Sequence, residues 1–348
     1  MSRQTYLSLA GAGARLPIGT HLLLHAHPDP EAIVLDGRRL GGVIVEAAER
    51  FRTSLAVPLM DLALEKEALL LACGLPASQV DGHHFSAPPD IPDEIPLTPR
   101  MRAACGALAE VACRPGLVPI GMAIGPFSLM TKLVCDPITP VYVAGTGVTA
   151  DEDCEVALVE QLLASGERAI HRYLKAQIGA GARAIMICEP AANMVYFSPK
   201  QLAVDARVFE RFVMEPMRRI AGLLAEHQVD LIFHDCGELT DDMVRRFSTL
   251  GAAVLSFGSS RRLWEDARLV PSDTVLYGNL PTKRFYADQF TVAEVERLAR
   301  ELMARMGATG HPFILGSECD VLSVPGKERE ILSKVDAFMN CPGASCAC

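Results

Sequence analysis

The stretch LIFHDCG, residues 231–237, joins a short apolar run to a histidine, an aspartate and a cysteine. Similar apolar runs recur along the chain, and most are followed by a polar or Gly/Pro break and then by a helical pattern. The predicted strands are His21–His25, Leu55–Leu59, Val118–Ile124, Ala184–Cys188, Leu231–His234, Ala253–Phe257, Val275–Gly278 and Pro312–Gly316. Eight strands that alternate with helices predict a (β/α)8 barrel, with an open doubly wound sheet as the structural alternative.

Several predicted helices carry boundary signals that support this alternation. Thr98 followed by Pro99 is typical of a helix start, with a side-chain cap and a proline in the first turn. Thr291 and Glu294 form a capping box at the start of a later helix, and we expect Gly307 to end that helix.

Length and composition indicate one large domain. The chain has 348 residues, half of them hydrophobic, so we expect a single barrel over residues 1–348 with N-terminal additions and a cysteine-rich tail at residues 339–348. The formal net charge is −9 and the basic residues are dispersed, which argues against a nucleic-acid partner. The most apolar stretch, residues 118–135, is interrupted by glycine, proline and lysine, so we expect no membrane span.

The chain contains 11 cysteines, an odd number. This count, together with an N-terminus that lacks the features of a secretory signal, indicates a reducing compartment. We therefore expect a cytoplasmic protein whose cysteines bind metal or pack in the core. For the tail cysteines Cys341, Cys346 and Cys348, a second metal site, a redox switch and a flexible tail without function all stay open.

The residues that follow the predicted strands carry most of the reactive chemistry of the sequence. In a (β/α)8 barrel the carboxyl ends of all strands lie on one face, where the active site forms. The candidates at these ends are His25, His27, Asp61, Gly125, Glu189, His234, Cys236, Asn279 and Cys319. Their coincidence on one predicted face supports the barrel and the site together.

His234, Cys236 and Cys319 form a candidate metal site on that face. His234 and Cys236 end the fifth predicted strand and Cys319 ends the eighth, and both strands face the central axis of a closed barrel. One nitrogen and two sulfur ligands leave one position of a tetrahedral Zn²⁺ open, as in catalytic zinc sites. A thiol that coordinates zinc is deprotonated, which suits activation of a substrate thiol. The structural alternative is that the cysteines are small buried hydrophobes.

Several segments resemble one enzyme superfamily. FHDCG at residues 233–237 and FILGSECDV at residues 313–321 are similar to the zinc motifs of methylcobalamin:coenzyme M methyltransferases, which belong to the uroporphyrinogen-decarboxylase superfamily. Supporting segments are GPFSLM at residues 125–130, GARAIMICEP at 181–190, FSP at 197–199 and GNLP at 278–281. The resemblance covers nearly the whole chain, from about residue 15 to about residue 338.

The resemblance implies a (β/α)8 barrel, a zinc ion held by His234, Cys236 and Cys319, and a methyl transfer. The methyl group would pass from a methylated corrinoid such as methylcobalamin, free or on a corrinoid protein, to a small thiol such as coenzyme M or homocysteine. Glu189 matches an acidic position that faces the same cavity. It would be a displaceable fourth ligand or an acid–base group, and a helix-start or salt-bridged glutamate is the structural alternative.

The other residues of the carboxyl-end face would contact the acceptor or the edge of the corrinoid. We expect His25 and His27 among the catalytic residues, and Asp61 and Asn279 in cofactor or acceptor binding. Gly125 begins a turn that would leave room for a bulky ring. The structural alternatives are histidines that close the first strand, a solvated aspartate and an asparagine that caps a turn.

The chain also departs from the superfamily pattern. Uroporphyrinogen decarboxylases carry an arginine-rich motif after the first strand, whereas HLLLHAHPDPEA at residues 21–32 contains no arginine, which argues against decarboxylation of a tetrapyrrole. Corrinoid-dependent methyl transfer to tetrahydrofolate is a second alternative, which does not need the full His/Cys/Cys set. The third is a non-catalytic zinc- or corrinoid-binding module, which a metal site with four protein ligands would favour.

Overall fold

Eight parallel strands organise the protein. A computed structural model describes residues 3–342. The strands are β1 (Arg15–Ile18), β2 (Leu55–Ala56), β3 (Val118–Ile124), β4 (Ala184–Cys188), β5 (Asp230–Asp235), β6 (Val254–Phe257), β7 (Val275–Leu280) and β8 (Phe313–Asp320). Their order is β1-β8-β7-β6-β5-β4-β3-β2 and every pair is parallel, so the sheet wraps into a nearly closed barrel. The predicted (β/α)8 fold class is confirmed.

Helices connect the strands and cover the outside of the barrel. They are α1 (Gln4–Gly11), α2 (Thr20–Leu24), α3 (Pro30–Ile33), α4 (Gly37–Arg50), α5 (Leu64–Ala72), α6 (Pro99–Ala112), α7 (Pro126–Thr131), α8 (Ile138–Ala144), α9 (Cys154–Gly179), α10 (Pro199–Val204), α11 (Arg207–Phe209), α12 (Glu215–Glu226), α13 (Asp241–Ser248), α14 (Leu263–Asp266), α15 (Val292–Thr309) and α16 (Glu328–Asn340). Among residues 3–342, no helix has both the length and the apolar character that a membrane crossing needs.

Two hydrophobic clusters lie on the two sides of the sheet. The inner cluster fills the barrel with alternate strand residues such as Ile120, Met186, Ile232 and Tyr277, because successive side chains of a strand point to opposite faces. The larger outer cluster packs the sheet against the helices. Helix α1 closes the amino-terminal end of the barrel, since Tyr6 is fully buried in the inner cluster.

The strand order begins at β1 and ends at β2, so these neighbours form a seam without ladder pairing among the described residues. The predicted second strand, Leu55–Leu59, is too long, because only Leu55–Ala56 pair with β3. Pro58 lies within the predicted range and has no N–H group to donate to a ladder. A hydrogen bond of 2.6 Å from the Thr20 hydroxyl to the Val57 carbonyl links the two sides of the seam.

The predicted first strand, His21–His25, is wrong. This segment forms helix α2 and its C-cap, and the strand that pairs with β8 is the preceding Arg15–Ile18. The three consecutive leucines of the segment are all buried, and a short continuous apolar run has no period that separates a strand from a buried helix. His25 and His27 therefore follow the end of a helix rather than the end of a strand.

Helix boundaries are confirmed where a side-chain cap was identified. Thr98 and Thr291 each accept a hydrogen bond from the backbone N–H group three residues later, at 3.2 Å in both helices. The predicted end at Gly307 is wrong, because α15 continues to Thr309. Gly310 ends it in the left-handed conformation, with a φ of 68° that glycine adopts at little cost.

The last helix, α16, extends into the predicted tail. It ends at Asn340, and the Arg15 guanidinium donates hydrogen bonds to the carbonyls of Phe338 and Met339 at 2.7 and 2.8 Å. Cys341 is buried against this end of the barrel. Residues 343–348, which include Cys346 and Cys348, lie outside the described residues.

Strand β8 is irregular where it faces β1. Leu16 pairs with Gly316, whereas Ile18 pairs with Asp320, so β8 holds two more residues than β1 over the same stretch. The Ser317 hydroxyl lies in this bulge and accepts a hydrogen bond of 2.9 Å from the Ile18 N–H group. A bulge of this kind releases side chains from regular strand alternation.

We predict that Gly316→Ala destabilises the protein by about 2 kcal/mol, the usual range for an overfilled core. A Cβ atom at this position would lie 2.2 Å from a ring carbon of Tyr277 and 2.5 Å from the Leu16 carbonyl oxygen. The matched control is Gly222→Ala in the exposed middle of α12, where nothing lies within 4 Å and alanine should stabilise by about 0.5–1 kcal/mol. Urea unfolding measures both, and equal effects would contradict the packing argument.

Glu65 is a buried carboxyl group at the start of α5. One oxygen accepts a hydrogen bond of 3.3 Å from the Ile124 N–H group, and the other has no hydrogen-bond partner among the described residues. Burial raises the pKa of Glu65 from 4.5 to about 8, against the smaller opposing effects of these bonds and of Lys132. The folded state therefore favours the protonated acid.

We predict that Glu65→Gln stabilises the protein at alkaline pH but not at acidic pH. Because the folded-state pKa is raised, the cost of ionising Glu65 is absent below about pH 4.5, grows with pH, and is complete above about pH 8. The stability difference between variant and wild type should grow by roughly 3 kcal/mol from pH 5 to pH 8.5. Urea unfolding at both pH values tests this, with the exposed Glu226→Gln as the control that should show no such trend.

Candidate metal centre

Three side chains of the types that bind metals converge at the carboxyl end of the barrel. His234 lies two residues after Ile232 of the inner cluster, so its ring points into the barrel, and Cys236 follows at the end of β5. Cys319 comes from the bulge of β8. One donor atom from each of the three lies within 4.8 Å of the other two. The structure thus brings together the three residues that were predicted from distant parts of the sequence.

The bulge explains how Cys319 reaches this position. Ile314 belongs to the inner cluster, and regular alternation from there would turn Cys319 toward the helices. Instead its Sγ lies 3.6 Å from the Met60 Sδ at the mouth of the barrel. The Glu318 carboxylate holds the bulge in place, because it accepts a hydrogen bond of 3.0 Å from the Ser259 N–H group after β6.

His234 presents one ring nitrogen to this site. Its Nδ1 lies 2.8 Å from the Ser256 hydroxyl on the neighbouring strand β6. Its Nε2 is buried and has no hydrogen-bond partner among the described residues. Buried polar groups normally have a partner, and a metal ion beside two thiols would supply one. The Ser256 contact fixes the ring orientation, as a second partner does for metal-binding histidines.

The two thiols and Lys283 form a charged group. A hydrogen bond from Cys319 lowers the pKa of Cys236 against the effect of burial, and His234 and Lys283 lower it further. The same bond, together with burial, raises the pKa of Cys319. Burial lowers the pKa of Lys283, but the negative charges of Cys236 and Cys319 outweigh it and raise that pKa. The centre therefore favours a thiolate beside an ammonium group.

Lys283 and the Ser256 contact were not predicted. Lys283 lies in a short turn after β7, three residues beyond the strand end. Its place on the carboxyl-end face was available from the strand assignment, whereas its approach to Cys236 depends on the turn geometry. The Ser256 partner follows from the register of β5 and β6, which pairs it with His234.

The Glu189 carboxylate is hydrogen-bonded to the first turn of α7. Its two oxygens accept hydrogen bonds from the N–H groups of Phe127 and Ser128, at 3.2 and 2.5 Å. Burial raises the pKa of Glu189 to about 7, although these bonds oppose it. A Cβ atom on Gly125 would lie 2.1 Å from the same carboxylate, so Glu189 fills the space that was expected to receive a bulky ring. The geometry agrees with the helix-start alternative.

Asn279 and His27 have partners other than the three candidate metal ligands. The Asn279 amide is buried and donates hydrogen bonds to the carbonyls of Gly258 and Arg261 at 2.8 and 2.9 Å, which agrees with an asparagine that holds a turn. The His27 ring lies 3.0 Å from the Glu46 carboxylate of α4, and both side chains are at least one-third exposed.

His25 and Asp61 line a cavity of about 540 Å³ at the carboxyl end of the β1–β2 seam. We refer to it as the seam cavity. Met60 forms part of its wall and also contacts Cys319, so the cavity borders the candidate metal centre. The Asp61 carboxylate forms an ion pair with the Arg100 guanidinium, which lies on the same wall. The seam cavity thus lies next to one of the three candidate ligands, Cys319, and has room for a small molecule.

Comparisons with known proteins agree with this barrel. The sequence profile of the family described as "Uroporphyrinogen decarboxylase (URO-D)" matches residues 47–326. A uroporphyrinogen decarboxylase from Methylibium petroleiphilum is 26% identical over 317 residues, which cover 85% of this chain and 80% of that protein. A uroporphyrinogen decarboxylase from Thioalkalivibrio sulfidiphilus is 26% identical over 292 residues, 79% of this chain and 76% of that protein.

A solved structure shares the same architecture. A methyltransferase from Methanosarcina mazei superposes with a TM-score of 0.70 over 97% of this chain and 98% of that one, at 16% sequence identity. A likeness at this identity establishes the fold. Because the profile match spans strands β3 to β8 and β2, together with most of the helices between them, the chain belongs to the uroporphyrinogen decarboxylase family.

Proposed function

We propose that this protein transfers a methyl group from a methylated corrinoid to the sulfur of a small thiol, with a zinc ion held by His234, Cys236 and Cys319. The observation that carries the proposal is the convergence of two thiols on a buried ring nitrogen that lacks a partner among the described residues. One nitrogen and two sulfur ligands suit Zn²⁺ and leave a fourth position for a substrate.

The bound zinc would supply thiol activation, since it lowers the pKa of a coordinating thiol so that the acceptor reacts as a thiolate near neutral pH. The residues of the chain supply orientation. Ser256 fixes the His234 ring, and Glu318 fixes the bulge that carries Cys319. Lys283 places a positive charge beside the sulfur ligands, which offsets the negative charge that collects there.

The proposed reaction is a displacement at the methyl carbon. The acceptor sulfur forms a bond to the methyl group, and the cobalt–carbon bond breaks with its electron pair left on cobalt. The proton of the acceptor thiol passes to solvent. The barrel contributes by holding the acceptor sulfur at a fixed point, so that two reactants meet in a defined geometry.

Exposed apolar residues support a corrinoid that arrives on a protein. The large hydrophobic side chains recorded as exposed within residues 3–342 are Leu35, Ile138, Tyr142, Val195, Val204, Tyr286, Val292 and Leu322. All of them lie in segments that connect the carboxyl end of a strand to the helix returning along the barrel. Tyr142 and Val204 line one surface cleft, and Ile138 lies one turn before Tyr142 on α8, so these three offer apolar surface to a protein partner.

The name of the curated relatives favours a second candidate, decarboxylation of a tetrapyrrole. Such a substrate carries several carboxylates and needs cations at the barrel mouth. The wall of the seam cavity contributes Arg100, which Asp61 and Glu67 already pair. Methyl transfer to tetrahydrofolate is a third candidate, and it leaves the convergence of the two thiols unexplained.

We predict that the purified protein binds one equivalent of zinc and that Cys319→Ser weakens zinc binding at least about 100-fold, because even outer-shell partners of a metal contribute about 10–100-fold. The matched control is Cys113→Ser, an exposed cysteine that should leave the affinity unchanged. Competition with a zinc chelator measures the affinity, and metal analysis measures the stoichiometry. Equal affinity in the two variants would contradict the ligand assignment.

We predict thiol-dependent demethylation of methylcobalamin, or of a methylated corrinoid protein from the same organism, by the zinc-loaded protein. The measurement is the loss of the methyl–cobalt absorbance with a panel of small thiols and tetrahydrofolate. Activity should disappear in Cys319→Ser and persist in Cys113→Ser, because only the first change removes a metal ligand.

The other outcomes distinguish the remaining candidates. Activity with tetrahydrofolate alone would replace the thiol acceptor with folate. Release of CO₂ from uroporphyrinogen, unaffected by Cys319→Ser, would favour a decarboxylase. No demethylation with any thiol and with the methylated corrinoid protein supplied would overturn the proposal.

A further inference from the structure

The seam cavity has a polar wall close to the candidate metal centre. Its volume is about 540 Å³, and Met60 separates it from Cys319 with a sulfur–sulfur distance of 3.6 Å. Asp61 is the next residue along the chain and also lines the cavity. A thiol held at the metal beside Cys319 would have the seam cavity, and with it Asp61, as the neighbouring space for its tail. Apolar residues such as Leu59 and Val34 line the same cavity, which suits methylene groups.

Carboxylates outnumber permanent cations on this wall. Asp61 and Glu31 line the cavity together with a single guanidinium, that of Arg100. Arg100 pairs with Asp61 and, at 3.2 Å, with Glu67, whose side chain is only 6% exposed. The charge of Arg100 is therefore balanced by two carboxylates before a ligand arrives. A tail that carries only a negative charge meets no unbalanced cation here, whereas an ammonium group meets Asp61 and Glu31.

Imidazole groups form another part of the wall. The His21 Nδ1 lies 3.2 Å from the Asp320 carboxylate, and the His25 Nε2 lies 2.9 Å from the His21 Nε2. Both rings line the cavity. They add hydrogen-bonding groups to a wall that otherwise carries a single guanidinium, and the Asp320 carboxylate pairs with one of the two rings.

We propose that the acceptor thiol is an α-amino acid, whose ammonium group binds Asp61 and whose carboxylate faces Arg100 and the His21–His25 pair. This inference rests on the proposed function and names the acceptor class. A zwitterion brings one group of opposite charge for each member of the Asp61–Arg100 pair, whereas a sulfonate or a simple carboxylate competes with Asp61 and Glu67 for Arg100. Homocysteine has the size and charges that this wall accepts.

Binding calorimetry on the zinc-loaded protein tests this class with three thiols matched in length and one shorter sulfonate. Homocysteine carries both charged groups, 4-mercaptobutyrate lacks the amine, 3-mercaptopropylamine lacks the carboxylate, and 2-mercaptoethanesulfonate carries an anion alone. We expect homocysteine to bind at least about tenfold more tightly than 4-mercaptobutyrate, the effect of one charge-assisted hydrogen bond. The zinc-free protein shows how much of the binding depends on the metal.

Substitution of Asp61 tests whether this residue causes the preference for homocysteine over 4-mercaptobutyrate. Asp61→Asn should weaken homocysteine about tenfold and should not weaken 4-mercaptobutyrate, whose carboxylate then no longer faces Asp61, so that the preference for homocysteine disappears. The matched control is Asp336→Asn, which removes a carboxylate that pairs with Arg50 at 2.7 Å on the outer surface. Should Asp61→Asn fail to fold, the exposed Glu31→Gln should reduce the same preference by a smaller factor, since Glu31 supplies the second carboxylate.

The outcomes separate this inference from the proposed function. If 4-mercaptobutyrate or 2-mercaptoethanesulfonate binds as tightly as homocysteine, the amino-acid assignment is overturned while thiol binding at the metal stands. A homocysteine preference that survives Asp61→Asn and Glu31→Gln also overturns it. If none of the thiols binds in a zinc-dependent manner, the proposed function fails as well.

Discussion

The position of the Cys319 sulfur depends on the bulge in β8, and the candidate metal centre depends on that sulfur. In a regular strand the side chain at residue 319 would lie among the helices, because strand side chains alternate between the two faces of a sheet. The two additional residues between Gly316 and Asp320 release this constraint. Contacts on both sides keep the bulge in one geometry, since Ser317 accepts from β1 and Glu318 accepts from the segment after β6.

The bulge also determines which residues can surround it. The Tyr277 ring lies against Gly316, and its hydroxyl donates a hydrogen bond of 2.7 Å to the Leu16 carbonyl, across the interior from β7 to β1. A side chain at Gly316 would displace that ring. The inner cluster below and the metal-binding side chains above are therefore coupled through a single glycine, whose lack of a side chain makes room for the ring.

Much of the fold could be predicted because parallel barrel strands are buried on both faces and appear in the sequence as continuous apolar runs. This holds for β3 to β8, whose cores match the predicted ranges. The prediction of strands from apolar runs failed at the seam, where β1 and β2 are short and each pairs with one neighbouring strand. There the leucines of α2 are as apolar as a strand, so composition alone could not separate helix from strand.

The candidate site could be predicted only in part. The convergence of His234, Cys236 and Cys319 followed from their places at strand ends, which a barrel brings to one face. The hydrogen bonds from the first turn of α7 to Glu189 could not be predicted, because they depend on the direction of two backbone N–H groups. The approach of Lys283 likewise depends on a turn, and the pairing of Asp61 with Arg100 joins residues 39 positions apart.

Different parts of the barrel face would serve different tasks. Strands β5 and β8 supply the candidate metal ligands, and the open seam between β1 and β2 supplies a cavity next to Cys319. A paired ladder at the seam would draw these two strands together and close that space, so the short β2 and the helix α2 are consistent with a cavity built for a small acceptor.

The segments after β3 and β4 hold four of the exposed apolar residues, Ile138, Tyr142, Val195 and Val204, which leaves this sector free to meet a larger donor. An acceptor held from the seam and a donor that approaches from another sector can meet at the metal without competing for the same surface, which is the geometry that a displacement at a methyl carbon requires.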